Sequence, residues 1–235
     1  MRKRVLWLRA DKDSNEIYTA VTPLLRVQGV TLIIPPPGLL PKADIAVLPS
    51  KGTPEELYYR PLLESAGIPS VMDRDPLRAL ALALSHPWPP REVAFGVDPG
   101  RSCAVVMIVD GRVLSAFKSD CDMLARSISD LLARIPYQYF NIYLGDGEGV
   151  PGAVNSLTDA GLPFTLVREA GSTSNPARTP LARVLHDKDL IAGLTIALRG
   201  VYGWGIGQSR PSSKRQASKI SAANPSLEST PQQDS

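Results

Sequence analysis

Four carboxylates in the second half of the chain stand where apolar runs end or a helical run begins. Asp98 follows Val93–Val97, Asp146 follows Asn141–Leu144, Glu169 follows Phe164–Val167, and Asp189 opens the last helical run. Asp98 stands out most. Val93, Ala94, Phe95 and Val97 are long enough for a strand buried on both faces. A carboxylate at the end of such a strand is costly unless something binds it. Gly96 and Gly100 flank it with little side-chain bulk, so a ligand or a metal could approach the backbone closely. Each acid also has an ordinary reading. Asp98 before Pro99-Gly100 and Asp146 between glycines are usual turn residues. Glu169 can simply end an edge strand, and Asp187 or Asp189 can complement the amino end of a helix dipole.

These acids need elements to carry them. From Val93 the pattern predicts a strand, a Pro-Gly turn, a second strand over Cys103–Val109, a tight Asp110-Gly111 turn and a third strand over Arg112–Lys118, an antiparallel meander. A helix follows over about 122–135, with Met123, Leu124, Ile128, Leu131, Leu132 and Ile135 on one face. The fourth strand is Asn141–Leu144 and the next helix Pro151–Ala160, closed by Gly161. The fifth strand is Phe164–Val167, a polar loop spans 171–180, and the last helix runs over about 186–199, starting with His186-Asp187-Lys188-Asp189.

The first half reads differently. Strands are expected at Val5–Leu8, Val30–Ile34, Asp44–Leu48 and Ile68–Met72, alternating with helices after Asp13, after Thr53 and over Asp75–Ser85. Alternation of this kind argues for a small parallel α/β layer. Ligands in such sheets bind at the carboxyl ends of the strands, where Arg9, Asp11, Ser50–Thr53, Asp73 and Arg74 fall. Lys51-Gly52-Thr53 before a helix suits either a phosphate on the helix amino end or an ordinary capped loop. No dinucleotide or P-loop glycine motif is present. The expected organisation is an accessory domain over 1–85, a proline-rich linker over 86–91, a second domain over 92–206, and a basic, Ser/Pro/Gln-rich disordered tail over 207–235.

Composition sets the outer limits. The 235 residues, 43% hydrophobic and 21% charged, suit a globular protein of one large or two small domains. A net charge of +3 permits nucleic-acid binding without arguing for it. No apolar run reaches the length of a membrane span, and the opening Met1–Asp11 is too soon broken by charge for a signal peptide. The two cysteines, Cys103 and Cys121, have no metal-ligand spacing and read as reduced thiols in a cytoplasmic protein.

The element order βββαβαβα, with FGVDPG at 95–100, resembles RuvC-type Holliday-junction resolvases, whose first strand carries G-x-D-P-G. DLIAGLTIALRG at 189–200 looks like their last helix. LVREAGST at 166–173 resembles the V-D-E-R-x-S-T stretch of the related YqgF family. The likeness covers about 92–200. It implies an α/β chain in which a small parallel N-terminal domain precedes a ribonuclease H-like mixed sheet. It further implies a nuclease that hydrolyses phosphodiester bonds of structured DNA or RNA. In such sites two divalent metals, Mg2+ or Mn2+, lie about 4 Å apart between carboxylates from separate elements. By resemblance Asp98 would bridge them, Asp146 or Glu169 would be the second ligand and Asp189 the third. His186 would orient water or move a proton, Arg168, Arg178 and Arg183 would bind phosphates, and a homodimer is implied. The match departs where RuvC-type helices carry a second acid three residues on, a position held here by Ala192. Two other readings stay open: a nucleotide-binding or phosphotransfer protein with an actin-like ATPase core, and a catalytically inactive nucleic-acid-binding scaffold.

Overall fold

In the computed structural model, residues 2–147, 150–168 and 179–203 are described. The first half contains β1 (Lys3–Trp7), α1 (Lys12–Val27), β2 (Val30–Ile33), β3 (Ile45–Leu48), α2 (Pro54–Ser65), β4 (Ser70–Met72) and α3 (Pro76–Ser85). Each helix starts where the sequence provides a cap. Asp11, Thr53 and Asp75 each accept backbone N–H bonds from the first turn, and proline opens α2 and α3. The four strands pair in parallel in the order β2-β1-β3-β4, as the alternation predicts.

The second half contains β5 (Glu92–Pro99), β6 (Cys103–Val109), β7 (Arg112–Ser119), a single 3₁₀ turn (Cys121–Met123), α4 (Leu124–Arg134), β8 (Tyr139–Gly145), α5 (Val150–Asp159), β9 (Thr165–Val167), α6 (Pro180–Leu185) and α7 (Lys188–Tyr202). The sheet order is β7-β6-β5-β8-β9. β6 is antiparallel to β5 and β7, and β5-β8-β9 run parallel. This is the ribonuclease H-like arrangement of a mixed sheet. Alternation along β5 sends Val93, Phe95 and Val97 to one face and Ala94, Gly96 and Asp98 to the other. The first set packs with Leu124, Ile128, Ala153 and Leu157 of α4 and α5. Ala94 packs with Val106, Leu194 and Ala197, under α7.

The two sheets share one hydrophobic cluster, in which Val5, Trp7, Val21 and Leu25 join Phe95, Met107 and Leu124. Polar ties cross the same boundary. The Gln28 side chain exchanges two hydrogen bonds with the Val113 backbone, at 2.8 and 3.0 Å. Arg134 donates to both oxygens of Asp75, at 2.6 and 2.9 Å.

Two expectations need correction. Cys103 and Cys121 are not thiols but a disulfide. The pairing arises because Cys103, which opens β6, stands opposite Ser119 at the end of β7, two residues before Cys121, so that the two Cα atoms lie 5.2 Å apart, within bridging range. It removes the reduced-thiol argument for a cytoplasmic protein. No described helix is long and apolar enough to cross a membrane. Secondly, the last helix does not begin at His186. An unexpected short helix, α6, is capped by Thr179 and ends on His186, whose φ of 55° is left-handed, and Asp187 then caps α7. Two caps, Thr179 and Asp187, open two successive helices in place of one. At Lys51-Gly52-Thr53 the structure has the ordinary capped loop. The Gly52 N–H donates to the chain's own Glu56 carboxylate at 3.0 Å, and Thr53 Oγ1 accepts from the Glu56 N–H. The tail over 207–235 lies outside the described residues.

Candidate metal centre and its helix

The parallel strands β5 and β8 end side by side, with register pairs running to Val97 opposite Leu144. Asp98 comes next on β5, and Asp146 follows β8 directly. The Asp146 N–H donates to Val167 O at 3.2 Å, which ties the strand end to β9. Asp98 is half-buried and Asp146 exposed. Fixed backbone thus places two carboxylates at the carboxyl ends of neighbouring strands, where ligands of open sheets gather. Glu169, one residue beyond the described end of this strand region, lies outside the described residues, as do Arg178 and the greater part of the 166–173 motif.

Helix α7 lies across the face that carries Asp98, and glycine decides how closely. A Cβ on Gly96 would stand 2.1 Å from Gly193 O, and one on Gly200 would stand 2.1 Å from the Tyr143 ring. The helix therefore rides directly on the sheet backbone. Its contacts step from Lys118 on β7, past Ala104 on β6 and Gly96 on β5, to Tyr143 on β8. At the far end Arg199 donates to Arg168 O at 2.6 Å. The amino end of α7 consequently sits at the β7 side of the sheet.

That placement governs Asp189. Asp98 pairs across the sheet with Ala104, which pairs with Lys118. The three share one row and one face, and adjacent strands lie about 4.8 Å apart, so Lys118 stands on the strand two removed from Asp98. Its ammonium lies 2.8 Å from Asp187 Oδ2 and 2.7 Å from Asp189 Oδ2. Asp187 Oδ1 accepts from the N–H groups of Asp189 and Leu190 at 2.8 and 3.3 Å. Hydrogen bonds to Asp187 and then Asp189 raise the Lys118 pKa, and the Lys118 hydrogen bond lowers that of Asp187. Sequence reasoning missed Lys118. The only signal was a lysine closing a strand whose neighbours are apolar.

Among the described residues, no group of three or more His, Cys, Asp or Glu side chains comes together as a metal site would need. Asp98, Asp146 and Asp189 are therefore not gathered as a three-ligand set. The oxygen donors of Asp98 and Asp146 are of the hard type that magnesium or manganese takes. The acids of α7 fit a metal less well, because an ammonium already contacts both. His186 is exposed at the junction of α6 and α7, and Arg183 is exposed on α6.

The carboxyl ends of the first sheet are tied together by one side chain. The Arg9 guanidinium, 5% exposed, donates to Ser14 Oγ at 2.7 Å, Leu48 O at 3.1 Å and Arg74 O at 2.8 Å, and also to Asp73 O. It joins the carboxyl ends of β1, β3 and β4.

The described sheet has the strand order and directions of a ribonuclease H-like fold. No family model matches the chain, and no curated protein matches it. Among the solved structures similar to it in part are two of RuvC. One is the Thermus thermophilus RuvC structure, with 15% identity and a TM-score of 0.36, covering 49% of this chain and 97% of that one. The other is T. thermophilus RuvC in complex with Holliday junction substrate, with 12% identity and a TM-score of 0.33, covering 49% of this chain and 99% of that one.

Proposed function

We propose that the chain is a divalent-metal-dependent nuclease that hydrolyses phosphodiester bonds in structured DNA or RNA. The observation that carries this reading is the pair Asp98 and Asp146, ending neighbouring parallel strands of a ribonuclease H-like sheet. Asp98, Asp146 and Glu169 would hold Mg2+ or Mn2+, and a cation bound there supplies Lewis-acid activation of water. The chain's own residues do the rest. Asp98 lies on β5 and Asp146 follows β8 directly, so paired strand backbone sets where these two carboxylates start. The exposed Arg101 and Arg168 flank the two strand ends and offer charge to phosphate oxygens. His186 stands at the amino end of α7, on the β7 side of the sheet, and is given no role at the β5–β8 end. The T. thermophilus relative seen with a Holliday junction makes four-way DNA the first substrate to try.

A second reading, an inactive scaffold that binds nucleic acid through the same surface, is favoured by one observation: Lys118 already satisfies the acids of α7. Incubating branched and linear DNA and RNA with Mg2+ or Mn2+ separates the two. The nuclease reading expects cleavage that chelator abolishes and that Asp98→Asn reduces at least a hundredfold. Cleavage that survives Asp98→Asn would refute the mechanism. Retained binding without any cleavage by the wild-type chain would establish the scaffold.

A further inference from the structure

The acid pair at the start of α7 and the lysine of β7 form a unit that the proposed mechanism leaves unused. Two carboxylates from residues two apart in sequence converge on one ammonium, at 2.8 and 2.7 Å. Three of their four oxygens are engaged, two by Lys118 and one by the amino end of the helix. The three side chains are each about a third exposed, so the unit is no buried staple. Ion pairs so exposed add little to stability. Its consequence is electrostatic and local.

We propose that Lys118 is a built-in cation, occupying beside Asp189 the charge position that a divalent metal would otherwise take. The inference rests on the metal-dependent reading above and narrows it. Metal binding is confined to the β5–β8 end, at Asp98 and Asp146, and Asp189 is excluded from the ligand set. Lys118 is a positioning residue, because it acts through Asp187 and Asp189. Two features make the arrangement specific. Lys118 lies on the same cross-strand row and face as Asp98, so its charge is directed at this end of the sheet. The close seating of α7 at Gly96 and Gly193 fixes the helix relative to the strands, so the acid pair has little freedom to swing towards β5 and β8. A unit charge and a divalent cation about 4 Å apart repel enough, even in a water-like dielectric, to weaken binding about thirtyfold.

Mn2+ binding to the full-length chain, read from loss of the free-ion paramagnetic resonance signal, tests this without any need for cleavage. Lys118→Met, neutral and of similar length, is expected to gain a Mn2+ site, or to bind Mn2+ about thirtyfold more tightly, with the melting temperature nearly unchanged. Asp189→Asn in the Lys118→Met background removes the gain. Lys118→Arg, which keeps the charge, behaves as wild type. Equal stoichiometry and affinity in wild type and Lys118→Met would overturn the proposal. Should Lys118→Met not fold, Asp189→Asn alone decides. Unchanged Mn2+ binding supports the exclusion of Asp189, and a loss overturns it. Asp98→Asn, measured alongside, reports on the nuclease reading separately, since it addresses the β5–β8 end and leaves Lys118 in place.

Discussion

Replacing Gly96 by alanine adds one methyl group at the point where α7 touches β5. That Cβ would lie 2.1 Å from Gly193 O and 2.5 Å from both the nitrogen and Cβ of Ala197. The closest approach is about 1.3 Å short of ordinary contact. Backbone stands on both sides, so no flexible side chain can swing away, and the helix must lift from the sheet. Overpacking of this kind costs about 1–3 kcal/mol, and backbone against backbone places it near the upper figure. For a chain of this length about 3 kcal/mol lowers the melting temperature by roughly 6–12 °C. Gly100→Ala is the matched control. It lies two residues beyond Asp98, and its Cβ would meet only Ser102 O, at 3.5 Å. Thermal melts followed by circular dichroism compare the two. A Gly96→Ala protein melting within about 2 °C of wild type would refute the close seating of α7 and the placement of the acid pair that depends on it.

Further outcomes follow from the same contacts. Reducing the Cys103–Cys121 bridge, or Cys103→Ser, releases a loop with a sequence separation of 18 and should cost about 3 kcal/mol; urea midpoints that do not change with reductant would contradict it. Arg9→Met strips a buried guanidinium from three backbone carbonyls on two chain segments and should cost about 3 kcal/mol or more, read by urea unfolding. Asp75 gives a pH dependence. Burial alone would raise its pKa, but the Arg134 hydrogen bonds, backbone N–H groups and charge together hold it below the ordinary 3.8. A depressed carboxylate stabilises the fold above its unfolded value and loses that contribution as pH falls through its folded value. The acid limb of the stability curve below about pH 4 should therefore flatten in Arg134→Met, and an unchanged limb would count against the pairing.

Much of this protein is set by local sequence. The alternation of apolar runs, the caps Asp11, Thr53 and Asp75, and the Asp110-Gly111 turn specify parallel layers first and a meander second, because periodicity and capping are properties of short windows. Asp98 was legible for the same reason: a carboxylate closing a buried run is conspicuous in one dimension. Four things were not legible. The disulfide depends on a turn and a strand end meeting 18 residues apart, and spacing alone does not report that distance. Arg9, one of many arginines, becomes the tie of the first sheet only when three strands end around it. His186 moves from a helix start to a left-handed helix end, since the choice between one helix and two is made by packing. Lys118 reaches Asp187 and Asp189 across about 70 residues of chain, and only the diagonal course of α7 over the sheet brings them together. Sequence determined which acids lie at strand and helix ends. The tertiary structure decided which of them share an end, because strand order and helix crossing are set by long-range packing and not by any local pattern.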